Sequence, residues 1–468
     1  MKSHALKCGL SAAIALSVGI GIHQPAQGNE SPSSLPGSSP SATDVIRVEP
    51  TTEEQTAIEP DDILVPVPPE HLPSLVSSDF GWDDRLWGDG WTDDWADLWG
   101  DAGGGDRQQL ITAINYSLAY LNTPAAETAY SDYPIPAFTR DRVRRSLERF
   151  RTLLQTEPSA TALQQSVLNE FVFYRSVGHD GLGTVDFTGY FEPTYVASRV
   201  PTAQYRYPLY RRPLDLEEWD EPHPTRIELE GRDGLQGDQG RLSGYELVWL
   251  GDRLEAFLIQ VQGSARLQLT DGTEMSVGYA GRTNYPYQSI GRRLIEDGHV
   301  PEEGLSLPKV LEFFETNPSA LDQYLPQNNR FVFFRETFGA PPQGTLSVPV
   351  TTERSIATDK SIMPPGALAL IVTDIPFTSA SSSSEFDTSN PGSIEDSSTE
   401  EPPQHLDHIQ PNQWVQRRVH RYVLDQDTGG AIQGPGRVDI FMGTGQEAGE
   451  RAGLINTPGS LYYMLLHE

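Results

Sequence analysis

Toward the C-terminus, Asp427-Thr428-Gly429-Gly430-Ala431-Ile432 leads into Arg437-Val438-Asp439-Ile440-Phe441-Met442-Gly443. A carboxylate in the middle of an apolar strand, entered through a glycine-rich turn, leaves a chain few ways to fold. Asp439 is flanked by Val438, Ile440 and Phe441 and is carried with them into an apolar layer. Asp427, twelve residues earlier, lies beside glycines that let backbone approach closely. Carboxyls that are rigid and partly desolvated are the kind that serve as general acid or base. A single aspartate is ordinarily a solvated turn residue. Two in one glycine-rich frame point to a site.

The surrounding texture is mainly β, preceded by helices. Ile111, Ile114, Leu118 and Leu121 have helical spacing, as do Val143, Leu147, Phe150 and Leu154, then Leu163, Val167, Phe171 and Tyr174. From Thr184 short β-like runs take over: Val185–Phe191, Tyr245–Trp249, Glu255–Val261, Arg266–Leu269 and Met275–Tyr279. Short helices follow near Tyr287–Asp297, Pro308–Thr316 and Ser319–Leu325. The last third is β-like again, through Phe331–Arg335, Ala367–Val372, Arg418–Leu424, Arg437–Met442 and Leu461–Leu466.

Not all of the 468 residues have this texture, and the apolar content of 37% is low for a fully globular chain. Residues 1–28 read as an export signal. Lys2 and Lys7 precede an apolar run, and Ala26-Gln27-Gly28 is a small-x-small cleavage site. The sole cysteine, Cys8, lies before that run, where no lipoprotein cysteine sits. The expectation is an exported protein of the periplasm or cell envelope, not a lipoprotein. Residues 29–106 read as a disordered acidic linker, first rich in Pro and Ser, then carrying Trp82, Trp87, Trp91, Trp95 and Trp99. Those tryptophans could dock an unidentified partner, although Gly88, Gly90 and Gly100 oppose a stable helix. Residues 378–410, with the run Ser381-Ser382-Ser383-Ser384, read as a disordered surface insertion. The net charge of −31 excludes nucleic acid and anionic membrane surfaces as partners.

Four further clusters carry polar chemistry. Thr188-Gly189-Tyr190-Phe191-Glu192-Pro193 offers a tight backbone beside aromatic surface. Gln260-Val261-Gln262-Gly263-Ser264, read as a strand, puts both glutamines on one face and Ser264 at the exit. Gly278-Tyr279-Ala280-Gly281-Arg282-Thr283-Asn284 is a glycine turn, and Arg354 to Asp359 places a third aspartate before the turn Pro364-Pro365-Gly366. Each alone also reads as an ordinary strand end or turn. Amides, hydroxyls and aromatic faces aimed from such positions suit a polyhydroxylated or amide-bearing ligand. No metal pattern, phosphate loop or nucleophile elbow is present, and no cofactor is implied.

Taken together and in this order, F-T-G-Y-F-E-P, V-Q-G-S, Y-A-G-R-T-N, D-T-G-G-A-I and R-V-D-I-F-M-G resemble the membrane-bound lytic transglycosylase A family of murein-degrading enzymes. The C-terminal part is similar to its three-aspartate (3D) domain, with Asp359, Asp427 and Asp439 as the aspartates. The resemblance spans about Phe187 to Leu466. It implies a double-psi β-barrel formed by 107–193 and 340–468, with a second β-rich, substrate-binding domain, 194–339, inserted. It maps the catalytic acid onto Asp439, with Asp427 in support. It implies glycan contacts from Thr188, Gly189, Tyr190, Gln262, Gly263, Ser264, Tyr279, Gly281, Asn284 and Asp359. The activity implied is non-hydrolytic cleavage of the β-1,4 bond between N-acetylmuramic acid and N-acetylglucosamine in peptidoglycan strands, leaving a 1,6-anhydro end. The chain departs from the pattern in lacking the lipoprotein cysteine and in its acidic N-terminal region and Ser-rich insertion. Two alternatives stay open. One is a non-catalytic peptidoglycan-binding protein. The other is an aspartic protease, since Asp427-Thr428-Gly429 spells its triplet, although a pepsin-like chain needs two.

Overall fold

A computed structural model describes residues 63–68, 71, 83, 85–87, 106–301, 307–378 and 414–468. The expected signal, most of the linker and nearly all of the insertion 378–410 lie outside the described residues. Strand β1 (Leu64–Val67) is followed by four helices: α1 (Arg107–Leu121), α2 (Pro124–Ser131), α3 (Arg140–Thr156) and α4 (Ala160–Glu170). Thr123, Thr139 and Ser159 accept hydrogen bonds from the first turns of α2, α3 and α4, supplying partners that helix starts lack. Val143, Leu147, Phe150 and Leu154 make the buried stripe of α3. Helix α4 ends earlier than its apolar spacing predicts, because Phe171 and Tyr174 belong to β2 (Phe171–Ser176).

Strands β3 (Val185–Glu192) and β4 (Thr194–Ser198) come next, then β5 (Tyr207–Tyr210), helix α5 (Arg226–Glu230) and β6 (Glu246–Leu250). Helix α6 (Arg253–Gln262) leads to β7 (Ser264–Leu269) and β8 (Glu274–Arg282). Helices α7 (Ile290–Glu296), α8 (Leu307–Thr316) and α9 (Leu321–Tyr324) precede β9 (Val332–Glu336). The remainder is β10 (Ser355–Ala357), β11 (Leu368–Thr378), β12 (Trp414–Asp427), β13 (Arg437–Thr444), α10 (Gln446–Gly453) and β14 (Asn456–Leu466).

Two closed sheets result. In the first, β14, β11, β12, β10, β13 and β3 are paired in that order, and β3 returns to β14. The β3–β13 and β10–β12 pairs are parallel and the rest antiparallel. Strands β2 and β1 extend it beyond β14. Leu368 to Val372 of β11 are buried without alternation, as expected of a strand covered on both faces. In the second sheet the order is β5-β6-β4-β7-β8-β9, and a bridge between Arg211 and Phe334 joins its two ends. The segment between β3 and β10 thus holds a ring of its own.

Two sequence expectations are corrected. Glu255–Val261 is helical, within α6, so Gln260 and Gln262 do not share a strand face. Asp252 caps α6, and Gly263 at φ +82° ends it. The second correction concerns the linker. Ile63, Leu64, Asp83 and Leu86 are buried, and β1 pairs with β2. Trp87, the one tryptophan of the Trp-rich stretch among the described residues, packs on the core with the Arg107 guanidinium over its ring. The cause is charge. Arg354, wholly buried, is held by Asp83 and Asp106, and Glu353 by Arg85 (2.8 Å) and Arg451 (2.7 Å). Buried charges need partners, and the N-terminal segment supplies them. No helix among the described residues is long and apolar enough to cross a membrane.

Candidate active site

A cleft of about 800 Å³ is lined from the first ring by Tyr190, Asp427, Asp439 and Phe441 and from the second by Tyr279 and Arg282. Asp439 is carried by the middle of β13, between Thr188 of parallel β3 and Ala357 of antiparallel β10. This pairing on both sides brings the carboxyl into the layer, leaving it 2% exposed at the cleft wall. The Thr188 hydroxyl donates to Asp439 Oδ1, and Arg437 Nη2 donates to Thr188 Oγ1 at 2.8 Å. A guanidinium has only donors, so the threonine must accept from it and spend its own hydrogen on the aspartate. Arg437 Nε also lies 3.4 Å from the same Oδ1. Oδ1 is therefore committed as an acceptor, and a proton carried by this carboxyl belongs on Oδ2.

Asp427, at the end of β12, is half-buried. Its Oδ1 accepts from Thr345 N (2.8 Å), Thr345 Oγ1 (2.6 Å) and Thr428 N (2.8 Å), and its Oδ2 from the Tyr190 hydroxyl (3.0 Å). Burial pushes the Tyr190 phenol well above its ordinary range, with Asp427 and then Asp439 adding to the effect. The phenol stays a donor to Asp427. Its ring packs on Phe441 at 5.2 Å between centroids. Asp359 also lines the cleft, but its carboxylate closes a local turn on Ser361 N (3.0 Å) and Ser361 Oγ (2.6 Å) and accepts from distant Gly434 N (2.8 Å).

On the facing wall, Gln262 accepts from Phe191 N (3.2 Å), and Gly263 and Ser264 follow it along the cleft. Tyr279 is 46% exposed, its face open to the cleft. Gln260, buried in the same wall, accepts from Arg226 Nη2 at 2.8 Å. Four expected contact residues stand outside the lining. Thr188 donates to Asp439. Gly189 lets α10 approach, since a Cβ there would lie 2.6 Å from Ala452 Cα. Gly281 packs under the Arg212 side chain, and Asn284 holds His223.

Sequence reading missed Lys360, Thr345 and Arg330, and took Tyr287 as the start of a short helix. Lys360 reaches buried Asp425, the Thr358 hydroxyl (2.9 Å) and the Asp427 carbonyl, and so fixes the backbone beneath Asp427. Burial raises Asp425 against the pull of Lys360. The signal was in the run Thr358-Asp359-Lys360 beside Asp425-Gln426-Asp427, but nothing local says that these strands pair in parallel. Tyr287, pushed up to about 12 mainly by burial, faces Arg330 and Asp439.

These features define a class: β proteins of two closed sheets with an aspartate pair at the wall of the intervening cleft. Comparison with known proteins narrows it. Residues 186–335 match the MltA specific insert domain and residues 404–465 the 3D domain. Membrane-bound lytic murein transglycosylase A of Escherichia coli K12 is 30% identical over 290 residues, covering 61% of this chain and 67% of that protein. The crystal structure of a membrane-bound lytic murein transglycosylase from Agrobacterium tumefaciens superimposes with a TM-score of 0.56 at 24% identity, covering 77% of this chain and 93% of that one. E. coli MltA with bound chitohexaose gives 0.55 at 24%, covering 78% and 90%. The chain belongs to the membrane-bound lytic transglycosylase A family, with its 3D domain.

Proposed function

We propose that this protein is a murein lytic transglycosylase that cleaves the β-1,4 bond between N-acetylmuramic acid and N-acetylglucosamine and leaves a 1,6-anhydromuramyl end. The observation that carries this reading is Asp439, one buried carboxyl at a cleft wall whose Oδ1 is committed to Thr188 and Arg437. Protonated on Oδ2, Asp439 gives its proton to the glycosidic oxygen as the bond from that oxygen to the anomeric carbon breaks. The C6 hydroxyl oxygen of the same muramyl residue then bonds to the anomeric carbon. Its proton returns to Asp439. No water is consumed, so no second carboxylate is needed to activate one. Asp427 and the Tyr190 hydroxyl support the site as a fixed polar frame around the developing charge. Tyr279, Gln262 and Ser264 are proposed as glycan contacts, an aromatic face beside amide and hydroxyl groups. The chitohexaose seen on E. coli MltA supports a glycan-binding cleft.

We read the first ring, with its two parallel pairs, as a double-psi β-barrel formed by 107–193 and 340–468, and 194–339 as the inserted substrate-binding domain. The apolar N-terminal run, together with relatives named membrane-bound, supports a place in the cell envelope. The test is digestion of purified murein sacculi with mass spectrometry of the products. Anhydromuropeptides are expected from the native protein and none from Asp439→Asn, with the fold and sacculus binding retained. Reducing ends from the native protein would replace this mechanism with hydrolysis, and pelleting without products would leave a binder.

A further inference from the structure

Acidic residues outnumber Lys and Arg 65 to 34 in this chain, so a carboxylate partner is rarely out of reach. Buried arginines accordingly pair with acids: Arg354 with Asp83 and Asp106, Arg226 with Glu230 (3.0 Å), Arg253 with Asp322 (2.6 Å). Arg282, exposed, and Arg330, partly buried, both line the cleft. Among the described residues neither makes an ion pair with a carboxylate. Arg282 donates to Thr283 O at 3.3 Å. Arg330 Nε is buried and meets no acceptor among the described residues. The Arg330 guanidinium lies against the backbone of Gly430, where an added Cβ would fall 1.3 Å from Nη1. It therefore sits on the turn that follows Asp427. Burial lowers the Arg330 guanidinium from its ordinary value and Arg282 repels it, while the hydroxyls of Tyr279 and Tyr287 favour its charge. Arg282 pairs across β8 and β9 with Val332, two residues beyond Arg330, so the two like-charged side chains come from one stretch of the cleft wall, where a bound anion would offset their repulsion.

We propose that Arg282 and Arg330 form an anion subsite that takes a carboxylate carried on the lactyl–peptide arm of a muramyl residue. The proposal rests on the murein reading above and adds to it the part of the substrate that a neutral chitin-type glycan lacks. Guanidinium forks bind carboxylates through paired hydrogen bonds, and the position beside the Asp427 turn would place the anchored residue next to the reacting bond. Arg330 is the better buried of the two and carries more of the binding; Arg282, on the exposed rim, guides the arm in.

The test compares kcat/KM for the full-length protein, Arg282→Gln and Arg330→Gln on three preparations of glycan strands. The first keeps its peptide stems. The second is stripped by an amidase, exposing the lactyl carboxylate. The third is the stripped glycan with that carboxylate converted to a neutral amide. Each variant is expected to lose about tenfold to hundredfold on a carboxylate-bearing preparation and about twofold or less on the neutral one. Loss confined to the first preparation assigns the anion to the peptide stem, and loss on the second assigns it to the lactyl group. Arg330→Lys, which keeps the charge, recovers part of the activity. Equal loss on all three preparations, or no loss on any, overturns the subsite and leaves the transglycosylase reading intact. A native protein that cleaves none of the three overturns both. Should Arg330→Gln fail to fold, Arg282→Gln, at an exposed position, gives the same discrimination.

Discussion

Asp83→Ala is a substitution in a stretch whose sequence looks like a solvated linker, and it should unfold the protein far more readily than that appearance suggests. Asp83 is 2% exposed and shares the wholly buried Arg354 guanidinium with Asp106. It also accepts the Tyr422 backbone N–H at 2.9 Å. Removing one partner of a buried ion pair costs about 3–5 kcal/mol, and an orphaned buried N–H about 1–3 kcal/mol. Asp106 stays on Arg354 and moderates the first term, so the expected loss is about 3 kcal/mol, a large part of the roughly 5–15 kcal/mol of an ordinary domain. Equilibrium urea unfolding at pH 7, read by tryptophan fluorescence and by far-ultraviolet circular dichroism, measures it. Asp132→Ala, at an exposed position, is the control and should stay within about 0.5 kcal/mol of the native protein. If Asp83→Ala matches that control, the clasp between the N-terminal segment and the first ring is not a stabilising element.

Thr188→Val should lower kcat about tenfold or more with KM nearly unchanged, because it frees Asp439 Oδ1 without touching the glycan, and Thr188→Ser should restore most of it. A change in KM alone would make Thr188 a binding residue. Acid should also destabilise the fold. Burial pushes Glu353 up, but Arg85 and Arg451 override it and hold it at about 2, while Arg354 and Arg421 likewise depress Asp83 against burial. A depressed carboxyl contributes stability that is complete above its unfolded value, about 4, and is lost as pH falls through the folded one. Urea midpoints should therefore fall from roughly pH 5 toward 2, and Glu353→Gln should flatten that slope.

How much of this was legible in the chain depends on whether the signal was local. The Asp427 and Asp439 frame could be read because glycine turns and an apolar strand announce themselves within a dozen residues. Helix α6 could not be read from periodicity, because Ala256, Phe257, Leu258, Ile259 and Gln260 are all buried and leave no polar face to set a period. Its caps, Asp252 and Gly263, were the usable signal. The clasp was illegible for another reason. Asp83 and Asp106 look like any acid of an acidic segment, and only the burial of Arg354, more than 240 residues away, makes them structural. Thr188 was singled out for its motif and given a glycan contact. Its place on Asp439 follows from a parallel pairing across 251 residues that no local pattern encodes.

That long-range pairing also sets the order in which the molecule can assemble. Every strand of the second ring lies between Thr194 and Glu336, so this ring can close as soon as its own residues are available. The first ring cannot. Strand β3 must wait for β13 and β14, with the whole second ring held in the intervening loop. Contacts this distant in sequence make closure slow compared with that of the second ring. During synthesis or refolding, one wall of the cleft exists well before Asp439 is seated opposite it. Incomplete molecules therefore carry the second-ring wall without Asp439, and the cleft is whole only when the most distant strands meet.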